Sequence, residues 1–443
     1  MKLKIFTIVG FFALVATTTM AQQVKFEEYD LDNGLHVIMH QDNTAPVVTT
    51  SVMYHVGAKN EAKNRTGFAH FFEHLLFEGT KNIERGEWSK IVSANGGLDN
   101  ANTTDDRTYY FETFPSNNVE LGLWMEAERM LHPIINKIGV DTQNEVVKEE
   151  KRMRVDNQPY GHFLEQVKLK LFTNHPYHHT TIGLMKDLDD ATLDEFLAFN
   201  HKFYVPNNAT LVVAGDIDIV QTKAMVAKYF SDIPKGDPVT YTKVEEDPIT
   251  AELKTSYNDP NIQIPAIMAA YRTPSMKDRD AYVLDMVSTL LSDGKSSRMY
   301  KQMVDIDKKA LQVGAINLSQ EDYGMYIVYA LPMGKTDLDD VLADIGTQIN
   351  KVQTELISEN EYQKLQNKFE NQFVNANASV QGIANSLVRY QMLYGNTNLI
   401  NDEIKIYRSI TREEIRDVAK KYLNANQRLV LKYLPKAKED SKK

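Results

Sequence analysis

Apolar residues follow two periods along the chain, and each period predicts a different kind of element. Short runs rich in β-branched and aromatic residues predict strands, whereas apolar positions three and four residues apart predict helices. In the first half, strands are predicted at 24–29, 35–39, 47–56, 108–114 and 209–214. Helices are predicted at 118–130 and 193–203, and after residue 216 through 227–230. This mixture predicts an αβ architecture.

The second half repeats this succession. Strands are predicted at 264–271, 324–331 and 429–433, and helices at 281–291, 338–356 and 359–374. Both halves therefore run from a strand through a helix and a strand to long helices and a closing strand. We interpret this as a divergent internal duplication, although no residue-level repeat is visible.

A polar stretch separates the two halves. Residues 234–260 are rich in Pro, Asp and Glu and lack the apolar periodicity of their flanks. We predict a linker at 236–260 between an N-terminal domain of residues 22–235 and a C-terminal domain of residues 261–443. The length of 443 residues also suits two domains better than a single core.

The first 21 residues have the pattern of a secretory signal peptide. Lys2 and Lys4 precede an apolar run at 5–16, and residues 19–21 offer a cleavage site. The alternative is an N-terminal membrane anchor, for which the apolar run is short. We expect an exported protein, periplasmic or secreted, with no stable membrane span after residues 1–21 are removed.

Composition narrows the possible chemistry. The formal net charge is −10, which argues against a nucleic-acid-binding protein, because that function needs a basic surface. Cysteine is absent, so thiolate metal sites and Cys nucleophiles are excluded. All eleven histidines lie between His36 and His201. A metal site that uses histidine must therefore belong to the N-terminal domain.

One segment of that domain carries candidate chemistry. Thr66 is a suitable N-cap for a helix in which His70 and His74, four residues apart, share one face. Two such imidazoles suit zinc, and Glu73 lies beside the same face. Apolar residues surround the three side chains, so burying them without a ligand would cost several kcal/mol. The pattern His-x-x-Glu-His predicts a metal site; a helix with two satisfied histidines is the alternative.

A catalytic zinc ion needs a third protein ligand and an open position. The best candidate lies on a downstream helix for which Asp141 is the expected cap. Val146, Val147 and Glu150 share its apolar side, whereas Glu149 lies among charged neighbours on the solvent side. Glu150 is therefore the predicted third ligand.

The segment HFFEHLLFEGT resembles the inverzincin motif of the pitrilysin/insulinase family of zinc metallopeptidases, which includes the β subunit of the mitochondrial processing peptidase. That family has a glutamate ligand well downstream of the motif, and Glu150 lies 76 residues after His74. Further segments that resemble family signatures are 97–103, 108–110, 175–177, 214–216 and 293–298. The resemblance covers essentially the whole chain after residue 21.

The resemblance implies an α+β fold: two related αβ domains, each a mostly antiparallel sheet packed with helices, joined by a linker and enclosing a chamber. It implies a zinc endopeptidase of peptides or unfolded segments. One Zn²⁺ per chain would be bound by His70, His74 and Glu150, with Glu73 as general base. The implied substrate-binding strand, which would pair with the peptide backbone, consists of Asn100, Ala101, Asn102 and Thr103.

Two departures from the family pattern concern the site. Gln143 stands where many relatives have a glutamate that supports the metal ligands from behind. Val304 and Leu311 occupy the places of an Arg and a Tyr that hold the substrate carbonyl in many relatives. We therefore expect a homologous partner subunit to supply the Arg/Tyr pair in a heterodimer. A homodimer without the pair, or a different alignment of this segment, is the alternative.

A second hypothesis is a non-catalytic subunit of the same fold that binds or assembles. The intact set of His70, Glu73, His74 and Glu150 favours an enzyme, because a purely structural subunit has no physical reason to keep it.

Overall fold

The computed structural model describes residues 23–436. The predicted signal peptide, residues 1–21, lies outside the described residues. Within residues 23–436, no helix has both the length and the apolar character needed to cross a membrane.

The N-terminal domain is a six-stranded sheet with eight helices. Its strands are β1 (Glu27–Asp30), β2 (His36–Gln41), β3 (Val47–Tyr54), β4 (Leu98–Thr103), β5 (Thr108–Pro115) and β6 (Ala209–Gly215). Its helices are α1 (Phe68–Leu75), α2 (Trp88–Ala94), α3 (Val119–Leu131), α4 (Lys137–Lys151), α5 (Phe163–Leu171), α6 (Met185–Asp189), α7 (Leu193–Phe203) and α8 (Ile219–Phe230). The strand order is β1-β2-β6-β3-β5-β4, and only β2 and β6 run parallel.

In the part of the C-terminal domain that the structure describes, up to residue 436, a five-stranded sheet packs with six α-helices. Its strands are β7 (Leu253–Asp259), β8 (Ala266–Thr273), β9 (Ala310–Leu318), β10 (Gly324–Pro332) and β11 (Arg428–Pro435). Its helices are α9 (Arg279–Ser292), α10 (Leu338–Thr354), α11 (Glu359–Ala376), α12 (Val380–Arg389), α13 (Leu399–Ser409) and α14 (Arg412–Tyr422). The strand order is β7-β11-β8-β10-β9, and only β7 and β11 run parallel.

The two sheets share one topology. In each domain the closing strand, β6 or β11, lies between a parallel neighbour, β2 or β7, and an antiparallel neighbour, β3 or β8. A hairpin, β4–β5 or β9–β10, completes the far edge. This equivalence supports the internal duplication. The predicted fold class, two αβ domains with mostly antiparallel sheets packed with helices, is confirmed.

Each domain lends one helix to the sheet of the other. Helix α12 covers one face of the N-terminal sheet, where Leu387 lies in one apolar cluster with Val212. Helix α5 packs on the C-terminal sheet, where Val167 lies in one cluster with Leu431. Both sheets are therefore buried in part by the partner domain, and the two domains form one continuous body.

Polar contacts between two hairpin turns also join the domains. Nζ of Lys59 lies 3.0 Å from Oδ1 of Asp106 in the β4–β5 turn and 2.7 Å from Oε2 of Glu321 in the β9–β10 turn. Within the N-terminal domain, Lys168 of α5 pairs with Asp105 of the β4–β5 turn at 2.6 Å, and Nε2 of Gln320 in the β9–β10 turn donates to the same carboxylate. These side chains are largely buried, so their charges are balanced inside the interface rather than by solvent.

Two strands that the apolar pattern did not predict lie at the edges of the C-terminal sheet. Strand β7 falls inside the predicted linker at 236–260, and β9 lies between two predicted elements. Each of these strands is hydrogen-bonded to only one neighbouring strand. An edge strand tolerates polar residues, so its sequence lacks a strong strand pattern. Residues 234–252 form neither helix nor strand. The irregular segment between the domains therefore ends at residue 252, before the predicted end of the linker at residue 260.

Candidate metal centre

Helix α1 carries the histidine motif into the core of the N-terminal domain. Phe68, Phe71 and Phe72 on this helix are buried. The ring of Phe71 stacks on Phe196 of α7 with centroids 4.8 Å apart. This aromatic packing fixes the rotation of α1, so the face that bears the histidines is directed towards α4.

The prediction that Thr66 caps α1 is wrong. The helix begins at Phe68, and its N-cap is Gly67, which has a left-handed φ of 94°. Oγ1 of Thr66 donates to Asp187 at 2.6 Å and accepts from the main-chain N–H of Leu184 at 2.9 Å. Thr66 therefore joins the segment before α1 to the start of α6 instead of capping α1, and this contact depends on residues more than a hundred positions away.

The prediction that Asp141 caps α4 is also wrong. The helix begins at Lys137, and the side chain of Asn136 accepts from the main-chain N–H of Gly139 at 2.9 Å. Asn is as good an N-cap as Asp, and the N-cap of this helix is Asn136 rather than Asp141. Helix α4 is therefore one turn longer than predicted and continues into a π-helical segment at Arg152–Asp156.

The buried side of α4 contains fewer of the predicted apolar residues than expected. Val147 is buried, but Val146 is 43% exposed and faces solvent. Glu150, three residues after Val147, has a side chain that is 12% exposed and directed to α1. The Glu149 side chain is 58% exposed and pairs with Arg152 at 3.0 Å. Of the two adjacent glutamates, the structure therefore brings Glu150 to the histidines.

Three ligand atoms converge between α1 and α4. Oε2 of Glu150 lies 3.5 Å from Nε2 of His70 and 3.0 Å from Nε2 of His74, and the three residues offer ligand atoms within 4.8 Å of one another. Ligands about 2.0–2.1 Å from a tetrahedral zinc ion are about 3.3 Å apart. Oε2 of Glu150 is buried without a well-directed hydrogen-bond donor. The donor set and its spacing fit one zinc ion, and no other such group occurs within residues 23–436.

The protonation states of these groups favour a cation. Burial, reinforced by His74, lowers the pKa of His70 to about 4, so its imidazole is neutral at pH 7. Contact with His74 lowers the pKa of Glu150, so its carboxylate is ionised. Nη1 of Arg154 lies 2.7 Å from Oε1 of Glu150, which leaves Oε2 to face the histidines.

Glu73 lies next to the three ligand atoms. Its Oε2 accepts a hydrogen bond of 2.7 Å from Oγ1 of Thr103 on β4. Burial raises the pKa of Glu73 above its usual value, which suits a carboxylate that accepts and returns a proton near neutral pH. Thr103 thereby connects the candidate base to the edge of the sheet.

A cleft of about 620 Å³ contains these side chains. Strand β4 lines it through Asn100, Ala101, Asn102 and Thr103, and further lining comes from residues in 161–165 and 180–182. Strand β4 is the edge of the N-terminal sheet. An extended chain in the cleft would thus lie beside unpaired main-chain groups.

The register of the hairpin shows which main-chain groups are unpaired. The main-chain N–H of Thr104 donates to the carbonyl of Arg107 at 2.9 Å, and Ala101 lies opposite Tyr110. Because antiparallel pairs alternate, the N–H and C=O groups of Asp99, Ala101 and Thr103 face away from β5. In agreement with this register, the N–H of Ala101 does not donate to β5 and instead donates to Oδ1 of the adjacent Asn100 at 2.9 Å.

Two family models match this chain. Residues 36–184 match insulinase, peptidase family M16, and residues 190–369 match the peptidase M16 inactive domain. The chain belongs to the M16 family. The family expected from the motif is confirmed, and the absence of histidine after His201 agrees with an inactive second domain.

Relatives within M16 match over most of their length. Zinc protease PqqE of Helicobacter pylori is 29% identical over 91% of each chain. The probable mitochondrial-processing peptidase subunit beta of Arabidopsis thaliana is 21% identical over 89% of this chain and 75% of its own length. The crystal structure of a protease from Helicobacter pylori superposes with a TM-score of 0.88 at 27% identity, covering 93% of this chain and 100% of that chain.

The three residues that were expected to depart from the family pattern, Gln143, Val304 and Leu311, do not line the cleft. Nε2 of Gln143 donates to Glu78, and its hydrogen bond does not go to a metal-facing side chain. Val304 lies in a π-helical segment at Tyr300–Ile306, and Leu311 is 45% exposed on β9. Neither Val304 nor Leu311 has a side chain that could donate a hydrogen bond to a substrate.

Two arginines at the M16 site had no role in the sequence analysis. Arg154 orients Glu150, and the i,i+4 spacing of the two on one helix could have indicated this contact. Nη1 of Arg107 donates to the carbonyl oxygen of Asn102 at 2.8 Å. No sequence spacing indicates that contact, because it depends on how the β4–β5 turn folds back.

Proposed function

We propose that this protein is a zinc-dependent endopeptidase that hydrolyses peptide bonds in peptides or unfolded segments. The observation that carries the proposal is the convergence of His70, His74 and Glu150 beside Glu73, at the bottom of a cleft walled by an edge strand. A donor set with two imidazoles and one carboxylate, open on the cleft side, is what a catalytic zinc site requires.

In the proposed reaction His70, His74 and Glu150 hold the metal. Zinc, when bound, acidifies water and polarises a carbonyl. Glu73 takes the proton from the attacking water and returns it to the leaving amine. The hydroxyl of Thr103 fixes Oε2 of Glu73, so the proton is handled by a carboxylate of defined orientation.

Strand β4 would bind the substrate as an added antiparallel or parallel strand. Ala101 and Thr103 present their main-chain groups to the cleft, and Arg107 holds the strand through the carbonyl of Asn102. Backbone pairing gives affinity with little dependence on side chains. The proposed substrates are therefore extended or unfolded segments rather than one fixed sequence.

The lack of donors at Val304 and Leu311 supports a partner. We infer that a homologous subunit supplies the Arg/Tyr pair for the substrate carbonyl, in a heterodimer, whereas Gln143 supports the ligand helix without adding charge. A homodimer that works without the pair is the other arrangement. We further infer export to the periplasm or the medium, on the pattern of residues 1–21.

Metal analysis and peptide cleavage test this function together. The purified chain is expected to hold about one zinc ion and, with its partner, to cleave a quenched fluorescent peptide. Glu73→Gln is expected to keep the zinc and to lose activity by a factor of about 100 or more. Zinc without cleavage, even after addition of a related partner, would instead support a non-catalytic binding subunit.

A further inference from the structure

The helix that bears both histidines begins without a cap of its own. The first N–H groups of a helix have no acceptor within it and need one from outside. In α1 the N-cap residue is Gly67, which has no side chain to accept them. The helix has only eight residues, so disorder in its first turn would reach His70 directly.

A buried carboxylate from the preceding loop takes the place of the cap. Oε2 of Glu61 accepts from the N–H of Gly67 and Oε1 accepts from the N–H of Ala69, each at 2.8 Å. The side chain of Glu61 has no exposed surface. Each oxygen accepts one main-chain N–H, and the positive end of the helix favours negative charge at this place, although burial raises the pKa of Glu61.

Glu61 stands on a segment that is tied to the substrate side of the cleft. The N–H groups of Ala58 and Lys59 donate to the carbonyls of Thr104 and Asp105, at 3.1 and 2.9 Å. The β4–β5 turn therefore holds residues 57–61 in place. Through Glu61, the same turn fixes the start of the metal helix, so α1 and β4 share one support.

The chain cannot replace this support with a local cap. A Cβ atom at Gly67 would lie 2.8 Å from the carbonyl oxygen of Ile182, and φ at Gly67 is in the left-handed region. The backbone at Gly183 also packs closely against Gly67, since a Cβ atom at position 183 would lie 2.4 Å from the N atom of Gly67. Ser or Asp at position 67 is therefore excluded by space, and an acceptor has to come from elsewhere.

We propose that Glu61 is a positioning residue of the metal centre, which orients His70 and His74 by holding the first turn of α1. The inference rests on the proposed zinc site and adds to it a residue that touches neither metal nor substrate. Gln at this position keeps one acceptor oxygen but turns an NH₂ group towards the second N–H. Ala removes both acceptors.

Zinc affinity tests this role without any activity measurement. Competition with a chromogenic chelator, using the folded zinc-loaded chain, is expected to show about tenfold weaker zinc binding for Glu61→Gln and a larger loss for Glu61→Ala. The visible spectrum of bound cobalt is expected to change in Glu61→Gln, since the ligand geometry relaxes. Circular dichroism and thermal unfolding establish that each variant is folded at the temperature of the assay.

A matched control separates positioning from general destabilisation. Asp285→Asn also replaces a buried carboxylate that accepts two hydrogen bonds, but in the C-terminal domain. It is expected to leave zinc affinity and the cobalt spectrum unchanged. Wild-type zinc affinity in a folded Glu61→Gln chain would overturn the inference. A separate comparison tests the proposed metal site itself. If the wild type binds no zinc, or if His70→Ala binds zinc as well as the wild type does, the metal site is overturned.

Discussion

Among single residues, two adjacent glutamates on α4 have opposite surroundings. Glu150 faces the histidines and Glu149 faces solvent. We predict that Glu150→Gln weakens zinc binding by about 10-fold or more, because it removes one of three ligands, and that Glu149→Gln leaves it unchanged. Equilibrium dialysis against buffered zinc measures both. Equal losses would show that α4 faces the other way.

Asp285 is a buried acid outside the metal site, and it makes stability depend on pH. Burial raises the pKa of Asp285 to about 6, although Asn317 and Tyr407 donate to it at 2.8 and 2.9 Å. An acid with a higher pKa in the folded state holds its proton more tightly there. Its stabilising contribution is therefore complete below about pH 4 and is lost as the pH rises through 6.

We predict the consequence from the size of this shift. Between pH 4 and pH 7, the free energy of unfolding of the wild type should fall by about 3 kcal/mol relative to Asp285→Asn. Urea denaturation of the zinc-free wild type and zinc-free Asp285→Asn at several pH values measures this difference in free energy of unfolding. The other titrating groups are common to both proteins, so their contributions cancel in the difference. Parallel stability curves would contradict the assignment.

At the scale of elements, the apolar pattern did not predict edge strands β4, β7 and β9, and β4 lines the cleft, whereas the fourth edge strand of the two sheets, β1, was predicted. The ends of the central strands β3, β6, β8, β10 and β11 were predicted to within two residues, because both faces of these strands pack on apolar layers. Strands β7 and β9 were missed, since an edge strand has one neighbour and tolerates polar residues. Strand β4 is equally polar, and only the family resemblance indicated it.

The edge position of β4 leads to a prediction about substrates. Only alternate main-chain groups of β4 face the cleft. N-methylation of alternate amides in a bound peptide should weaken binding about 5-fold each, at about 1 kcal/mol per lost hydrogen bond, and the intervening amides should have little effect. Fluorescence anisotropy with the zinc-loaded Glu73→Gln variant measures this. A uniform effect along the peptide would argue against strand addition.

At the scale of the whole molecule, the two domains stabilise each other, while only the N-terminal domain carries the candidate metal ligands. Helices α5 and α12 each complete the core of the other domain, and Lys59 bridges both hairpin turns. The C-terminal domain keeps the topology of the first but has no histidine. It therefore packs against the N-terminal domain without contributing a residue to the candidate metal site or to the lining of the cleft.

The partner proposal belongs to this scale. The chain alone should cleave peptides slowly, and a related subunit with the Arg/Tyr pair should raise kcat by about 100-fold or more, as expected for donors to a developing oxyanion. Mixing assays and sizing chromatography measure the rise and the complex. A partner variant that lacks the arginine is the control. Full activity of this chain alone would refute the dependence.

The sequence by itself determined the central strands, the histidine motif and helices α1, α3, α4 and α7–α11, and it indicated the duplication, because period and spacing are local properties of the chain. It also indicated Glu150 over Glu149, since charged neighbours mark the wet side of a helix. Only the tertiary structure decided the caps of α1 and α4, helices α2, α5, α6 and α12–α14, edge strands β7 and β9, and the contacts of Glu61 and Arg107. Those contacts join segments that are distant in sequence or separated by a turn, and no periodicity records them.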